Sequence, residues 1–275
     1  MRIRLGHSDD PDDAFMVWAL AEQKVDVRGF EFELVPADIQ TLNEWALEGR
    51  LEVTALSLAA YPFVQDRYAL LPHGASIGRG YGPVVVTRES LSLDDLRAVE
   101  IVVPGRLTTA FLVLGLALGG AFSHRELDFR EILDEVREGR ANAGLLIHEG
   151  QLTYADAGLA KSLDLGEWWL AETALPLPLG VNTVRRDVER VEELSRVLAA
   201  SIDVGLAERK TALAYAQSYA RGLDETTADR FVDMYVNDMT RSYGDEGRRA
   251  VEELLRRAQA AGVYENVRVE FVGAG

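Results

Sequence analysis

The chain has no cysteine and four histidines, so acid–base chemistry falls to imidazole and oxygen groups. One histidine is placed unlike the others. His148 follows the apolar run Gly144-Leu145-Leu146-Ile147 and precedes Glu149. A histidine at the end of a buried strand, beside a carboxylate, can act as a general base near neutral pH. An ordinary hydrogen-bonded histidine fits the same place, and on the residues alone both readings stay open. A second candidate is the stretch Pro104-Gly105-Arg106-Leu107-Thr108-Thr109-Ala110, which lies between a strand and a helix. Such a connection exposes backbone N–H groups that suit a carboxylate or phosphate. Plain N-capping by Thr108 is the simpler reading. The stretch has neither a Walker lysine nor a full dinucleotide glycine fingerprint, which counts against NTP and NAD.

The loop His7-Ser8-Asp9-Asp10-Pro11-Asp12-Asp13 also follows a strand and opens a helix. Its aspartates could ligate a hard cation. The favoured reading is helix capping and dipole pairing, with no metal. His7 ends the first strand and is expected at a cleft with Ser8 and Asp13. His73 and His124 sit beside turn residues and are expected to face solvent. Gly78-Arg79-Gly80-Tyr81-Gly82 lies between two strands, so a mobile hairpin or hinge-side flap is expected there, not a nucleotide loop. Trp168 and Trp169 are read as helix packing.

Alternation of short apolar runs with helical periodicity places these residues. Strands are expected over 2–6, 30–34, 51–56, 68–71, 84–87, 100–103, 127–129, 143–147 and 181–184, with a last one at 267–271. Helices are expected from Pro11, from Asp38 to Gly49, after Ser57, over 108–118 and over 132–138, and amphipathic helices fill the chain to about Ala261. This is the pattern of an α/β protein with parallel sheets covered on both faces. Two helix–strand units share a design. Leu47-Glu48-Gly49-Arg50 precedes one strand and Ser57, and Arg137-Glu138-Gly139-Arg140 precedes another strand and His148. Glycine after glutamate suits a left-handed helix stop. If the units are equivalent, Ser57 and His148 stand at the carboxyl ends of strands on opposite walls of a cleft, where open α/β sheets bind ligands. Chance similarity of two ordinary units is the alternative.

Composition narrows the function classes. Lys and Arg number 29 against 45 Asp and Glu among 275 residues, a formal charge of −16. Nucleic acid and anionic membranes need clustered cations and are excluded as general partners. A 48% hydrophobic content supports a large core and argues against disorder. No signal-peptide pattern and no 20-residue apolar span appears, so a cytoplasmic protein is expected. Nothing in the chain indicates an oligomeric state.

Together, several segments resemble the 1,4-dihydroxy-6-naphthoate synthase family of the futalosine route to menaquinone. They are Thr41-Leu42-Asn43-Glu44-Trp45-Ala46-Leu47-Glu48-Gly49-Arg50, Pro104 to Ala110, Leu146-Ile147-His148-Glu149 with Thr153-Tyr154, Asp164 to Trp169, and Leu175-Pro176-Leu177-Pro178-Leu179-Gly180. The resemblance covers nearly the whole chain. It implies a periplasmic-binding-protein-like fold, two α/β lobes with a ligand cleft between them. It implies a lyase that converts cyclic dehypoxanthinyl futalosine to 1,4-dihydroxy-6-naphthoate without metal or redox cofactor. The family's proton acceptor falls on His148, and its substrate contacts fall on Ala55, Leu56 and Ser57 and on Thr108, Thr109 and Ala110. His7, Ser8, Asp13, Arg106 and Glu149 are further cleft candidates, Arg106 as the cation that offsets acidic charge near an aromatic carboxylate. Lobe one is expected over residues 1–92 and 178–275, with lobe two inserted over 93–177. The first loop departs from the family's Ser-Pro-Cys-Pro-Asn-Asp-Thr-Phe, reading Ser8-Asp9-Asp10-Pro11-Asp12-Asp13-Ala14-Phe15. A solute-binding protein for a small carboxylate and a chorismate dehydratase-like relative share the fold and are the alternatives.

Overall fold

The computed structural model describes residues 1–220 and 223–273. Residues 221 and 222, inside the expected C-terminal helical stretch, lie outside the described residues. The strands are β1 (Arg2–Ser8), β2 (Glu31–Ala37), β3 (Val53–Ser57), β4 (Tyr68–Leu70), β5 (Ser76–Gly78), β6 (Val84–Thr87), β7 (Ile101–Val103), β8 (His124–Glu126), β9 (Ala143–Leu146), β10 (Ala160–Asp164) and β11 (Leu177–Arg185). The helices are α1 (Pro11–Ala21), α2 (Ile39–Glu48), α3 (Tyr61–Val64), α4 (Leu93–Ala98), α5 (Thr109–Leu118), α6 (Phe129–Arg137), α7 (Gly150–Thr153), α8 (Leu165–Thr173), α9 (Val191–Ala207), α10 (Arg209–Ala216), α11 (Glu225–Tyr235), α12 (Asp238–Arg241) and α13 (Gly244–Ala260).

Local chemistry accounts for the helix limits near the cleft. Asp38 accepts a hydrogen bond from Thr41 N at the start of α2, and Gly49 ends it in the left-handed region at φ 72°. Thr108 caps α5 through Phe111 N, and Gly119 ends it at φ 82°. Helix α6 buries only Ile132 and Val136, four residues apart, and leaves its charged side to solvent.

Two sheets form the frame, in the orders β2-β1-β3-β11-β4, with β5 also on β11, and β10-β6-β9-β7-β8. Both are mixed, which corrects the expectation of parallel sheets. Strand β1 runs parallel to β2 and β3, but β11 is antiparallel to β3, β4 and β5. Strand β7 runs parallel to β8 and β9, but β6 is antiparallel to β9 and β10. The antiparallel strands are those that follow a change of sheet, β6 into the second and β11 back into the first. Val84–Thr87 therefore belongs to the second sheet, ahead of the expected boundary at residue 93. A short apolar strand carries no mark of the sheet it will join.

Other differences are local. Ser76–Gly78 is a strand on β11 inside the expected loop. The strand expected at 127–129 lies at His124–Glu126, and the one expected at 267–271 is a single bridge between Leu70 and Phe271. His73 is 3% exposed and bonds to Ser195 Oγ at 3.0 Å, because α9 covers its turn. His124 is half-buried between the rings of Phe111 and Phe122. Trp169 packs in the core and donates to Pro176 O at 3.0 Å.

The largest core cluster joins both sheets, with Leu56 and Val181 from the first and Ile101, Val103 and Leu145 from the second. The C-terminal helices cover the first sheet's side: Phe15 and Trp18 of α1 pack with Ile202, Ala212 and Val232. Among the described residues no helix is long and apolar enough to cross a membrane.

Candidate active site

A cavity of about 660 Å³, counting its mouth, opens between the two sheets. Its walls are the carboxyl ends of strands from both lobes and the loops that follow them. Ser8, Asp13, Ala55 and Ser57 line it from the first lobe, and Thr108, Thr109, Ala110 and His148 from the second. Four expected residues lie elsewhere. Leu56 points to the opposite face of its strand and is fully buried in the core. His7 lines a smaller neighbouring cavity, its Nδ1 on Ser8 O at 2.8 Å, and burial pushes its pKa down. Arg106 is 67% exposed and pairs with Glu126 at 2.9 Å, so it does not serve the cavity. Glu149 stands at the start of α7, outside the cavity wall.

The first-lobe wall is acidic. Ser8 N donates to Asp13 Oδ2 at 2.6 Å, and Ser8 Oγ to Asp10 Oδ2 at 2.5 Å. Ser76 Oγ donates to Asp12 Oδ2 at 3.0 Å. Burial, then the nearby Asp10 charge, pushes Asp12 up to about 6. Burial and Asp12 push Asp13 well above the usual carboxylate range. Asp10 crosses the cleft: its Oδ2 lies 2.7 Å from His148 Nδ1. His148 itself has a left-handed backbone, φ 53°, and its ring meets Phe129 edge-on at 4.8 Å. Among the described residues no group of three acidic, histidine or cysteine side chains is arranged to hold a metal ion.

The second-lobe wall carries no carboxylate among its described lining residues. Thr108 Oγ1 is occupied as the α5 cap, and Thr109 Oγ1 donates to Leu179 O at 2.7 Å and accepts from Ala59 N at 3.2 Å. What α5 offers a ligand is therefore its first-turn N–H groups, which have no intrahelical acceptor, and the positive end of its dipole. At Gly105, φ 153°, a Cβ would come within 2.4 Å of Gln40 on α2, so glycine permits the lobes to approach there.

Several residues in or behind the cavity wall were not anticipated. Asn43, fully buried on α2, accepts from Ser57 N at 2.8 Å and donates to Ser57 Oγ at 3.0 Å; its amide is also 3.5 Å from Leu107 O of the other lobe. The signal was a polar side chain beside Leu42 and Ala46 on the apolar stripe of α2. Tyr235 of α11 donates to Gln151 Oε1 at 2.6 Å, and both line the cavity. Nothing in the local sequence marks either. Asp10 belongs to the loop read as helix capping and dipole pairing, with a hard cation as the alternative, and neither reading pairs it with His148.

This is the fold of a two-lobed ligand-binding protein. A Candida albicans protein described as having the generic periplasmic binding protein fold superposes with a TM-score of 0.71 at 12% identity, covering 98% of this chain and 92% of that one. An alkanesulfonate-binding protein of Xanthomonas axonopodis superposes with a TM-score of 0.66 at 12% identity, covering 85% and 84%. Likeness at that identity speaks to the fold alone. A family model described as menaquinone biosynthesis matches residues 3–260, and the chain belongs to that family. It is 41% identical to a 1,4-dihydroxy-6-naphthoate synthase of Thermus thermophilus over 95% of both chains. It is 36% identical to the synthase of that name in Streptomyces coelicolor, over 95% of this chain and 94% of that one. A crystal structure of an Archaeoglobus fulgidus protein, 44% identical, superposes with a TM-score of 0.91 over 96% of this chain and 98% of that one.

Proposed function

We propose that the protein is a lyase that cleaves cyclic dehypoxanthinyl futalosine to 1,4-dihydroxy-6-naphthoate, with His148 as the base. The observation that carries this reading is the meeting of His148, Ser57 and the α5 N-terminus in one cavity, in a chain of the menaquinone-biosynthesis family. The substrate's aryl carboxylate lies at the first turn of α5, where unpaired N–H groups and the helix dipole receive an anion. Ser57, held by Asn43, orients a substrate oxygen from the other lobe. His148 removes a carbon-bound proton, the sugar-derived fragment departs, and the remaining ring becomes aromatic. Aromatisation supplies much of the driving force, so the protein contributes a positioned base and a site shielded from water.

The test is incubation of the purified protein with cyclic dehypoxanthinyl futalosine while naphthoate is followed by absorbance and mass spectrometry. Catalytic turnover is expected, and His148→Asn should lower kcat by about 10²–10⁴-fold. Stoichiometric binding without product would overturn the reading in favour of a carboxylate receptor. Near-normal turnover by the variant would remove His148 from the mechanism.

A further inference from the structure

We infer that Asp10 is a positioning residue for His148: across the cleft it holds the imidazole with its proton on Nδ1 and its lone pair on Nε2. The inference rests on the proposed role of His148.

Three observations converge on Asp10. It occupies the N-cap of α1, with extended backbone dihedrals and Pro11 next in the first turn. An aspartate there ordinarily turns its carboxylate back onto the N–H groups of the second or third helical residue, which stabilises the helix by roughly 1 kcal/mol. Here the side chain makes no capping bond. Its carboxylate instead accepts from Ser8 Oγ and meets His148 Nδ1 at 2.7 Å, and the residue is 1% exposed. The helix thus gives up a cap for a bond to the opposite lobe.

The second observation is the backbone of His148. A non-glycine residue at φ 53° is held in a sparsely populated region, and such positions persist where surrounding contacts over-determine them. Asp10 and the edge-on Phe129 ring fix the imidazole from two sides. The third is chemical. A carboxylate that accepts from one imidazole nitrogen selects the tautomer and stabilises the imidazolium that forms when the other nitrogen takes a proton. Since the partners come from different lobes, separating the lobes breaks the bond, so the positioned base exists only while the cleft is closed.

The charged groups around the ring are Asp10, Asp12 and Asp13 on the first lobe, Glu149 next in the chain, and Asp128 and Arg130 flanking Phe129 on α6. Asp10→Asn removes the charge that meets Nδ1 and retains an acceptor for Ser8 Oγ. In the full chain, kcat should fall about 10²–10⁴-fold with KM within about threefold. Loss of the neighbouring anion lowers the histidine pKa, so the acid limb of the kcat/KM profile should move down by about one pH unit. Asp10→Glu should recover part of the loss. Nitrogen-15 spectra of the imidazole should show the Nδ1–H tautomer in the unsubstituted protein and a gain of the Nε2–H tautomer in Asp10→Asn. A fall in stability or a rise in KM with the acid limb and the tautomer unmoved would mean a mere latch between lobes and overturn the inference. Absence of turnover by the unsubstituted chain would sink the functional reading instead, and the tautomer measurement would still decide the role of Asp10.

Discussion

The two lobes are built on one plan and furnished differently. Reading outward, β2-β1-β3-β11-β4 of the first corresponds to β8-β7-β9-β6-β10 of the second, with the same alternation of parallel and antiparallel pairs. Each lobe also has a strand-to-helix connection that brings a helix N-terminus to the cavity: β1 to α1 in one, β7 to α5 in the other. At α1 that end is crowded with Asp10, Asp12 and Asp13. At α5 it carries Thr108, Thr109 and Ala110. Both dipoles point positive ends inward, but the first is already faced by the protein's own carboxylates. An anion in the cavity would therefore meet attraction at the α5 end and repulsion at the α1 end. Among the described residues that line the cavity there is no lysine or arginine. What faces the carboxylates of α1 across the cavity is the positive end of the α5 dipole.

The joint between the lobes offers the strongest test of this division. Asn43 satisfies Ser57 twice and reaches Leu107 of the second lobe. Asn43→Ala leaves the buried Ser57 N–H without an acceptor and opens a gap beside it. A loss of about 2–4 kcal/mol by urea denaturation is expected. A loss under 0.5 kcal/mol would show that Ser57 is held by other means.

The acidic wall should cost stability, and in one pH range only. Folded Asp12 keeps its proton up to about pH 6, against an ordinary value of 3.8. Between those values the folded state binds more protons than the unfolded one, so stability falls as pH rises through the window. Asp12→Asn removes that penalty and keeps an acceptor for Ser76. It should stabilise the protein by about 1–3 kcal/mol at pH 8 and by nearly nothing below about pH 4. A gain independent of pH would point to packing.

What the sequence made readable follows from how local each signal is. The Glu-Gly-Arg units marked the ends of α2 and α6 because a left-handed stop needs glycine, and the strands after them do place Ser57 and His148 at the cavity. Arg106 was expected beside the ligand because it neighbours Thr108, yet its side chain runs outward to Glu126 at the end of β8. Asp10 looked like a cap because it precedes Pro11, and only the folded cleft reveals its partner. Asn182 and Tyr235 line the cavity from late in the chain, where β11 and α11 return to it, and no spacing rule reaches that far. The sheet to which β6 belongs was hidden for the same reason.

The shared plan itself can be put at risk with the smallest changes. Gly49 and Gly139 follow α2 and α6 at φ 72° and 77°. In each lobe an arginine from the end of the antiparallel strand meets the helix C-terminus: Arg185 Nη1 donates to Gly49 O at 2.9 Å, and Arg88 Nη1 to Val136 O at 3.1 Å. A cation there complements the negative end of the dipole. Alanine in a left-handed conformation costs about 1 kcal/mol, so Gly49→Ala and Gly139→Ala should each lose about that much in thermal unfolding. Gly49→Ala should lose a little more. Its Cβ would come within 2.7 Å of Arg67 Cδ and displace a side chain that bonds Leu47 O, whereas the nearest atom at Gly139 is Arg88 Nη1 at 3.1 Å. If one substitution were silent and the other costly, the two helix stops would be alike in sequence only.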